Sequence, residues 1–359
     1  MNINLPPIIH IVRRFGCVGG MESYVWNLVH ELIQQDVQVE VICEEIFDRF
    51  DSRILIHKVA KSPPRPRWKA MQRFRLLVTQ YVNENFQNRH VLIHSHERSN
   101  CHHLTTFHGP PISSKTPFLS NLLTSRRVSA WREMEKDELL SDSTAQILAV
   151  SSILKHQLLN LYPEVSSEKI KIAHPGIHPH STWQDSESNI ELRSKRCVFV
   201  GTEWKRKGLP LALKIIEQSS PAIVLDIFGP SNENLPTRVL NHPRVNVMGW
   251  KQTIPWEEYE VLIHPAKKEP FGMVVAEARS HGLNVLTSSE VGSLDLGFNN
   301  LIAIKLNAPL SDWVDALEEL TSNSNNREAE CLWTWSDLAN LHKNEFYPNV
   351  FKALLNNEQ

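Results

Sequence analysis

Short apolar runs rich in β-branched residues alternate with helical patterns along almost the whole chain of 359 residues. The first run, residues 8–12, is followed by residues 22–34, in which Val25, Leu28 and Leu32 recur at helical spacing. Strands that alternate with helices form parallel sheets that carry helices on both faces. The pattern therefore predicts an α/β fold.

The predicted strands fall into two series. They are expected at residues 8–12, 37–43, 91–94, 104–107, 147–150 and 169–173, and then at 197–200, 223–228, 245–248, 261–264, 284–287 and 301–304. Residues 178–194 between the series are rich in Ser, Pro and charge, as is typical of a domain boundary. At about 150 residues per domain, the prediction is an N-terminal domain at 1–178, a linker at 179–194, a C-terminal domain at 195–335 and a final segment at 336–359.

The composition excludes several classes of protein. Hydrophobic residues make up 41% and charged residues 22%, so packed cores are expected and wholesale disorder is excluded. The 38 Lys and Arg nearly balance the 40 Asp and Glu, which argues against a general nucleic-acid-binding surface. Five scattered cysteines without a CxxC pair indicate reduced thiols, with no disulfide framework or zinc knuckle. Without a leader or an apolar run of about 18 residues, the protein is predicted to be soluble and cytoplasmic.

The strongest local signal is the stretch HPAKKEPFGMVVAEARSHG. Glu269 precedes a Pro-Phe-Gly turn, and residues 273–281 are predicted to form a helix that Gly282 ends. The backbone amides of Phe271, Gly272 and Met273 would be unpaired donors at the start of this helix. Such a helix start suits a phosphate group or sugar hydroxyls.

A second carboxylate, Glu277, follows Glu269 by eight residues and would tilt back toward the same helix start. Two carboxylates there can accept hydrogen bonds from ligand hydroxyls. The alternative is a solvated acid at 269 and an acid at 277 that only complements the helix dipole. Because the loop follows an apolar strand, where open α/β sheets bind ligands, binding is the favoured interpretation.

A basic loop follows the strand at 197–200 and carries Lys205, Arg206 and Lys207. Cations at the end of this strand can neutralise a diphosphate, and an Arg can hold two phosphate oxygens at once. A solvated loop is the equally weighted alternative.

A glycine-containing loop in RRFGCVGGMESY joins the first strand to the first helix through Gly16, Gly19 and Gly20. Its spacing is not GxGxxG, so it is weak support for a dinucleotide site. The glycines still allow a ligand to approach the backbone closely. Glu22 can be explained as an acid in the first turn of the helix.

Several of the seventeen histidines cluster in HSHERSNCHHLTTFHG. A metal site formed by His94, His96, Cys101 and His103 is conceivable, although an HxH pair at a strand end is poor support for one. Polar strand ends with satisfied histidines are the preferred explanation for most of them. His108 differs, because it follows an apolar strand and precedes Gly-Pro-Pro at the ligand-binding edge of the first sheet.

A basic and aromatic segment spans residues 61–75, with six cations and no acid. Its candidate membrane-contact residues are Arg65, Arg67, Trp68, Lys69 and Arg73, and a second cluster holds Arg126, Arg127 and Trp131. Aromatic residues beside cations suit an anionic lipid surface. A solvated helix face is the alternative, and nucleic acid is disfavoured by the overall charge.

These motifs resemble those of the retaining GT-B glycosyltransferases, the group that includes bacterial lipopolysaccharide-core glucosyltransferases and related mannosyltransferases. The resemblance covers nearly the whole chain. The matching segments are GGMESY, TFHG, AVSSILKHQL, KIKIAHPGIH, VFVGTEWKRKG, HPAKKEPFGMVVAEA and TWSDLANLHKNEFY. The Glu-x7-Glu frame of Glu269 and Glu277 is the most specific of them. The resemblance implies two Rossmann-like domains that face each other across a cleft, with a last helix, from residue 335 to about 355, that crosses back to the first domain.

The resemblance also implies roles for individual residues. Glu277 would bind the ribose of a nucleotide-sugar, and Glu269 would lie beside the transferred sugar. Arg206 and Lys207 would hold the diphosphate, with Lys205 as a further donor contact. The remaining donor contacts would come from the amides of Phe271, Gly272 and Met273, from the loop of Gly19 and Gly20, and from His108 near the anomeric carbon or the primary hydroxyl.

One departure concerns Thr202, which stands where many relatives have an Arg. The second phosphate-binding cation must therefore come from Arg206 or Lys205. For retention of configuration, either Glu269 is a nucleophile or the acceptor attacks from the front face with the leaving phosphate as base, and the second is preferred. No DxD metal motif stands at a strand end, so catalysis without metal is expected.

The predicted function is metal-independent transfer of a hexose from a nucleotide-sugar, most simply UDP-glucose, to a cell-envelope glycoconjugate such as the lipopolysaccharide core. Its partners are the donor, a saccharide or glycolipid acceptor and the inner face of the cell membrane. Three alternatives stay open: a GT-B synthase or epimerase that acts on a soluble sugar, a metal-dependent hydrolase that uses the His94–His108 cluster, and a scaffold without catalysis.

Overall fold

The computed structural model describes residues 5–87, 89–112, 126–179, 195–231, 233, 235–322 and 328–357. The chain divides into two compact units. Unit 1 is Met1–Gly176 together with Trp335–Gln359, and unit 2 is Ile177–Thr334. The C-terminal segment therefore belongs with the first domain, as the predicted fold requires. Of the predicted linker, residues 180–194 lie outside the described residues.

Unit 1 is built on a seven-stranded parallel sheet in the order β5-β3-β1-β6-β7-β8-β9, beside a two-stranded pair, β2 and β4. Its strands are β1 Ile8–Ile11, β2 Arg14–Phe15, β3 Val39–Cys43, β4 Glu45–Ile46, β5 Leu55–Lys58, β6 Leu92–Ser95, β7 Leu104–Phe107, β8 Gln146–Ala149 and β9 Ile170–Ile172. Its helices before the second unit are α1 Gly20–Gln34, α2 Arg67–Phe86, α3 Arg126–Leu140 and α4 Ser152–Leu161.

Unit 2 is built on a six-stranded parallel sheet in the order β12-β11-β10-β13-β14-β15. Its strands are β10 Arg196–Val200, β11 Val224–Phe228, β12 Val245–Gly249, β13 Val261–His264, β14 Asn284–Ser288 and β15 Leu301–Ile304. Its helices are α5 Leu209–Gln218, α6 Thr237–Leu240, α7 Met273–Ser280 and α8 Leu310–Ser322, with 3₁₀ turns at Trp256–Glu258 and Gly292–Leu296. Each run predicted as a strand overlaps an observed strand, and the two parallel-sheet α/β domains are confirmed.

The strand order of unit 2 fixes where a ligand can bind. The chain places β11 and β12 on one side of β10, and then returns to place β13, β14 and β15 on the other side. The loops that follow β10 and β13 therefore diverge from neighbouring strands, which opens a crevice at their carboxyl ends. Both faces of the sheet are covered, because Phe199 packs in one buried cluster and its neighbour Val198 in another.

The last part of the chain returns to unit 1 as a helix with an irregular centre. It consists of α9 Trp335–Leu341, a π-helical turn at His342–Phe346, and α10 Tyr347–Asn357. In a π turn the backbone bonds join residues five apart, so His342 and Tyr347 come to the same side. Their ring centroids lie 5.3 Å apart. None of the described helices is long and apolar enough to span a bilayer.

Candidate functional site

The loops after β10 and β13 are in direct backbone contact. Gly208 has a φ of +88°, and a Cβ on it would lie 1.8 Å from the carbonyl oxygen of Pro265, so this position needs glycine. Beside it, the amide of Lys267 donates to the carbonyl of Arg206 at 2.8 Å. The guanidinium of Arg206 donates to the carbonyl of Lys268 at 2.7 Å. The two loops thus hold their charged side chains at the crevice predicted by the strand order.

The carboxylate of Glu269 lies at the centre of this contact. Its Oε2 accepts from Lys207 Nζ at 2.9 Å and from Arg206 Nη1 at 3.1 Å. Only 10% of the Glu269 side chain is exposed. Glu269 is therefore not the solvated acid of the alternative interpretation, and Arg206 and Lys207 are not a solvated charge run.

The surroundings of Glu269 keep it ionised. Burial alone would raise its pKa, but the neighbouring His264, Lys207 and Arg206 lower the pKa of Glu269 well below its ordinary value. His264 Nε2 lies 3.6 Å from the carboxylate, beyond hydrogen-bond distance. Burial also lowers the pKa of His264, so this imidazole is neutral at neutral pH. The net charge at this point comes from one carboxylate and two cations.

The helix α7 starts beside this cluster. Gly272 precedes it with a φ of +93°, and a Cβ there would lie 2.8 Å from Val291. Among the described residues, neither the Gly272 amide nor the Met273 amide donates to a backbone carbonyl. The buried Phe271 is held by its carbonyl, which accepts from the Ser293 amide at 2.7 Å. The start of α7 therefore offers amide donors and a positive dipole end.

Glu277 is the second carboxylate of the site. It is half-buried on α7, and burial raises its pKa while the charge of Lys207 partly opposes that rise. Lys207 thus acts electrostatically on both Glu269 and Glu277, which brings the two predicted carboxylates to one place. Lys205 is separate, since its exposed ammonium lies 5.1 Å from the ring centroid of Trp204.

The charged groups and amides at the start of α7 can bind both phosphate groups and hydroxyls. Two cations and the amides at a helix start can neutralise a group with two or more negative charges, such as a diphosphate. Two carboxylates beside them can accept hydrogen bonds from sugar hydroxyls. The site therefore suits a ligand that joins a diphosphate to hydroxyl-rich rings.

The remaining predicted donor residues lie in unit 1. Gly19 caps α1, which begins at Gly20, and the Ser23 amide donates to the Gly19 carbonyl at 2.8 Å. His108 follows β7 and is half-buried, with its Nε2 3.1 Å from His96 Nδ1. Of the residues between His108 and α3, 113–125 lie outside the described residues.

The conceivable metal site of His94, His96, Cys101 and His103 is not assembled in the described part of the chain. His103 instead accepts from the Ile93 amide at 3.1 Å, and Cys101 packs against a hydrophobic cluster. In the part of the chain that the structure describes, the group with suitable nitrogens is His10, His94 and His96, whose ligand atoms lie within 4.8 Å of one another. Cys101 and His103 do not join His94 and His96 in this group, because both are taken up by local packing and backbone contacts.

The basic segment is a helix face in the structure. Arg65, Arg67, Lys69 and Arg73 are exposed around the start of α2, while Trp68 is half-buried with the Lys69 ammonium 5.4 Å from its ring centroid. Phe74 is buried in the core of unit 1. The exposed patch therefore consists of four cations and one partly accessible indole.

Sequence reasoning missed three residues at these sites. His264 is the last residue of a predicted strand, and its position at the carboxyl end was a usable signal. His10 is paired directly with His94 by the parallel register of β1 and β6, which requires knowing that these strands are neighbours. Tyr347 reaches the same cluster from the last helix, and no local pattern indicates it.

Comparisons with known proteins agree with this architecture. Residues 18–181 match the family described as Glycosyltransferase Family 4, and residues 194–323 match the family described as Glycosyl transferases group 1. A D-inositol 3-phosphate glycosyltransferase of Arthrobacter sp. (strain FB24) is 24% identical over 358 residues, which covers 85% of this chain and 82% of that protein. An uncharacterized glycosyltransferase of Methanocaldococcus jannaschii is 22% identical over 229 residues, which covers 55% of this chain and 58% of that protein.

Solved structures share the fold at low sequence identity. WaaG, a glycosyltransferase involved in lipopolysaccharide biosynthesis, has a TM-score of 0.72 at 15% identity, over 96% of this chain and 98% of that one. Sucrose-phosphate synthase of Thermosynechococcus elongatus has a TM-score of 0.73 at 16% identity, over 97% and 100%. HepE of Anabaena, in complex with UDP-glucose, has a TM-score of 0.60 at 14% identity, over 98% and 99%.

Proposed function

The chain is a nucleotide-sugar-dependent glycosyltransferase with the GT-B fold, and from this premise we propose that it transfers a hexose with retention of anomeric configuration. The proposed donor is UDP-glucose or a close relative. The proposed acceptor is a cell-envelope glycoconjugate such as the lipopolysaccharide core. The proposed transfer takes place in the cytoplasm, at the inner face of the membrane.

One observation carries the proposal most directly: Arg206 and Lys207 converge on Glu269 at the start of α7, at the switch point of the unit 2 sheet. In the proposed complex the two cations turn to the diphosphate, together with the amides of Gly272 and Met273. Their positive charge stabilises the leaving group, which is the main electrostatic requirement of sugar transfer. The same charge lets the reaction proceed without a metal ion.

The two carboxylates take different roles in this proposal. Glu277 accepts hydrogen bonds from the ribose hydroxyls, and Glu269 orients the transferred sugar once its two cations engage phosphate. Phe271 adds an amide donor, and Lys205 supplies long-range positive charge from its exposed position. In unit 1, the loop of Gly19 and Gly20 and the ring of His108 are the proposed additional donor contacts.

The proposed chemical step is a front-face substitution. The bond between the anomeric carbon and the diphosphate oxygen breaks, and the acceptor hydroxyl oxygen bonds to that carbon from the same side. The proton of the acceptor hydroxyl passes to the departing phosphate oxygen. The products are the glycoside and the nucleoside diphosphate, so no protein nucleophile is consumed.

The donor and acceptor assignments are supported by different relatives. A structure of similar fold holds UDP-glucose, and another belongs to an enzyme of lipopolysaccharide biosynthesis. The four exposed cations at the start of α2 favour an acceptor at an anionic membrane. A soluble acceptor is the second candidate, because sucrose-phosphate synthase and a D-inositol 3-phosphate glycosyltransferase are also similar to the chain.

The test follows the anomer released when the enzyme slowly hydrolyses UDP-α-glucose without acceptor. Proton NMR in a chelator-containing buffer should show α-glucose before mutarotation, with UDP formed at the same rate. Lipopolysaccharide core oligosaccharide should then divert the glucose into a new α-glycoside. Release of β-glucose, or activity that needs added divalent metal, would contradict the proposal, and product formed only with a soluble phosphosugar would favour the second candidate.

A further inference from the structure

Six side chains of unit 1 are joined end to end by hydrogen bonds and are called here the histidine chain. In order they are Thr106, His94, Tyr347, His10, His96 and His108. All are buried except His108, which is half-buried. The histidine chain runs from Thr106 on β7 through Tyr347 on the last helix to His108, which is proposed to contact the donor.

The contacts along the histidine chain are of hydrogen-bond length. His94 Nε2 lies 2.7 Å from Thr106 Oγ1, and His94 Nδ1 lies 3.2 Å from the Tyr347 hydroxyl. That hydroxyl lies 3.3 Å from His10 Nε2. His10 Nδ1 lies 3.0 Å from His96 Nε2, and His96 Nδ1 lies 3.1 Å from His108 Nε2. Both ring nitrogens of the three inner histidines are therefore occupied.

The rings are neutral at neutral pH. Burial lowers the pKa of His10 and of His108 to about 3. Burial, followed by repulsion from neighbouring histidines, lowers the pKa of His94 and His96 well below the ordinary value. His342, which lies against His94 with ring centroids 5.5 Å apart, also has its pKa lowered by burial, to about 4. A neutral imidazole has one N–H donor and one acceptor nitrogen.

An order in which Tyr347 accepts from both His94 and His10 leaves the buried Tyr347 hydrogen without an acceptor in the histidine chain, which is costly. Two orders of donors satisfy every contact and also use that hydrogen. If Thr106 donates to His94 Nε2, each ring donates from Nδ1 to the next group and the Tyr347 hydroxyl donates to His10 Nε2. All four histidines then carry hydrogen on Nδ1. If His108 donates to His96, the whole series reverses, and all four carry hydrogen on Nε2. We propose that the histidine chain sets which ring nitrogen of His108 carries its proton, and that Tyr347 is thereby a positioning residue for His108.

The order of donors determines the protonation of Nδ1 of His108, the ring nitrogen that does not face His96. Its Nδ1 has no hydrogen-bond partner among the described residues, so it is either an N–H donor or a lone-pair acceptor there. The order of the chain decides which of the two a ligand meets. The last helix therefore acts on the proposed donor contact through Tyr347, beyond its role in packing.

The test is nitrogen-15 NMR of histidine-labelled full-length protein without donor, with signals assigned by single His→Gln variants. His10, His94, His96 and His108 should all be the same tautomer. Mixed tautomers among the four would overturn the proposal. So would an equimolar transition metal in the purified protein that is lost in His10→Gln, since the metal would occupy the lone pairs.

The variant Tyr347→Phe should select one of the two orders of donors. Without the hydroxyl, His10 Nε2 faces carbon and is better left as a lone pair than as a buried unpaired N–H. His10, His96 and His108 must then all carry hydrogen on Nδ1. Thr106→Val acts in the same direction from the other end, because His94 Nε2 loses its partner. An Nε2-protonated His108 in either variant would overturn the proposal.

The matched control is Tyr259→Phe in unit 2, which removes a buried hydroxyl bonded to Asp226 at 2.9 Å. It should leave all four tautomers as in the wild type. The inference rests on the proposed role of His108, but the NMR readout needs no donor. If the tautomers respond as stated and His108→Asn still transfers sugar normally, the role of His108 fails while the histidine chain stands. If the wild type is the Nε2 tautomer, Tyr347→Phe should also lower kcat about tenfold with little change in KM.

Discussion

Glu269 is the residue through which the unit 2 site is organised. In the absence of ligand it neutralises both Arg206 and Lys207, so neither cation is left buried without a partner. A diphosphate can take over these two cations, since it brings more negative charge than one carboxylate. In the proposed donor complex the carboxylate would then be free to accept hydrogen bonds from the hydroxyls of the sugar.

Lys207 should be required for efficient turnover of the donor. Lys207→Met keeps the apolar stem but removes the charge that contacts Glu269 and acts on Glu277, so kcat should fall about 10²–10³-fold, as for loss of one transition-state donor. Donor turnover measured by UDP release checks this. Lys214→Met is the control, because Lys214 is exposed on α5 and should behave as wild type. Equal turnover in both variants would remove Lys207 from the mechanism.

Glu269 should also make stability depend on pH. Its folded pKa is below the ordinary value of 4.5, so its contribution is complete above that pH and is lost as the pH falls. Glu269→Gln should therefore have a lower Tm than the wild type at pH 7, and the two Tm values should converge below about pH 4.5. Calorimetry across this range checks the sign. A Tm difference that is independent of pH would show that the ionised carboxylate is not the stabilising group.

Glu277 should control nucleotide affinity. Loss of a partly buried acceptor for hydroxyls costs about 1–3 kcal/mol, or roughly 5–150-fold in Kd. Glu277→Ala should weaken UDP binding by a factor in that range in calorimetric titrations. The control is Glu290→Ala, a half-buried acid in the loop after β14 whose backbone carbonyl, not its side chain, meets Glu269. Unchanged UDP affinity in Glu277→Ala would contradict the ribose role.

At the scale of elements, α7 is held in place by a buried ion pair at its far end. Arg279 is fully buried, and its guanidinium lies 3.2 Å from Glu330, which also accepts from the Asn299 amide at 2.9 Å. Burial lowers the pKa of Arg279 while Glu330 opposes that shift. The pair anchors the helix whose first turn forms the site.

Breaking this anchor should be costly. Glu330→Ala leaves a buried guanidinium unpaired and should destabilise the protein by about 3–5 kcal/mol in urea unfolding. Glu258→Ala removes the exposed partner of Arg196, 3.0 Å away, and should cost about 1 kcal/mol or less. If the two variants unfold at the same urea concentration, the buried pair is not what holds α7.

The exposed basic face of α2 should contribute to membrane binding. Changing Arg65, Arg67, Lys69 and Arg73 to Gln removes four cations worth about 1 kcal/mol each at an anionic surface, so binding to phosphatidylglycerol vesicles should weaken roughly 10²–10³-fold. Hydrolysis of the donor should be unaffected. The control replaces four exposed cations elsewhere: Lys171, Lys214, Arg238 and Lys305. If both quadruple variants bind vesicles like the wild type, the face is only solvated.

Elements were predictable wherever burial imposes a pattern. Strands such as β7 and β13 lie at their predicted bounds because both faces of a parallel sheet are apolar. The strand β5 was not predicted, since it is an edge strand with exposed residues and no apolar run. The π turn before α10 was not predicted either, because His342 and Tyr347 contact His94, which is distant in sequence.

The site residues of unit 2 could be predicted from the sequence better than the histidine cluster of unit 1. Glu269, Arg206 and Lys207 were found because they lie in the loops that follow two strands, and strand ends meet at one edge of a sheet. The pairing between them was not foreseen, since it depends on the contact of Gly208 with Pro265. His10 joins His94 only through the register of β1 and β6, which is a property of the folded sheet.

At the scale of the whole molecule, the chain is two parallel-sheet units, and unit 1 is completed by the C-terminal segment. This division follows from the two series of strands in the sequence. The proposed donor site in unit 2 contains the Glu-x7-Glu frame, the two cations and the start of α7. Nucleotide binding by the intact chain is therefore expected to depend on these residues.

The most direct measurement is a thermal-shift titration of the full chain with UDP, GDP, ADP and CMP in the presence of a chelator, repeated on Lys207→Met and Glu277→Ala. A nucleotide at 100 times its Kd adds about 2.7 kcal/mol of stability. UDP should raise the Tm of the wild type without metal, and both variants should show a smaller shift than the wild type at the same UDP concentration. The absence of a shift with every nucleotide, a shift that requires added metal, or equal shifts in wild type and variants would contradict this prediction.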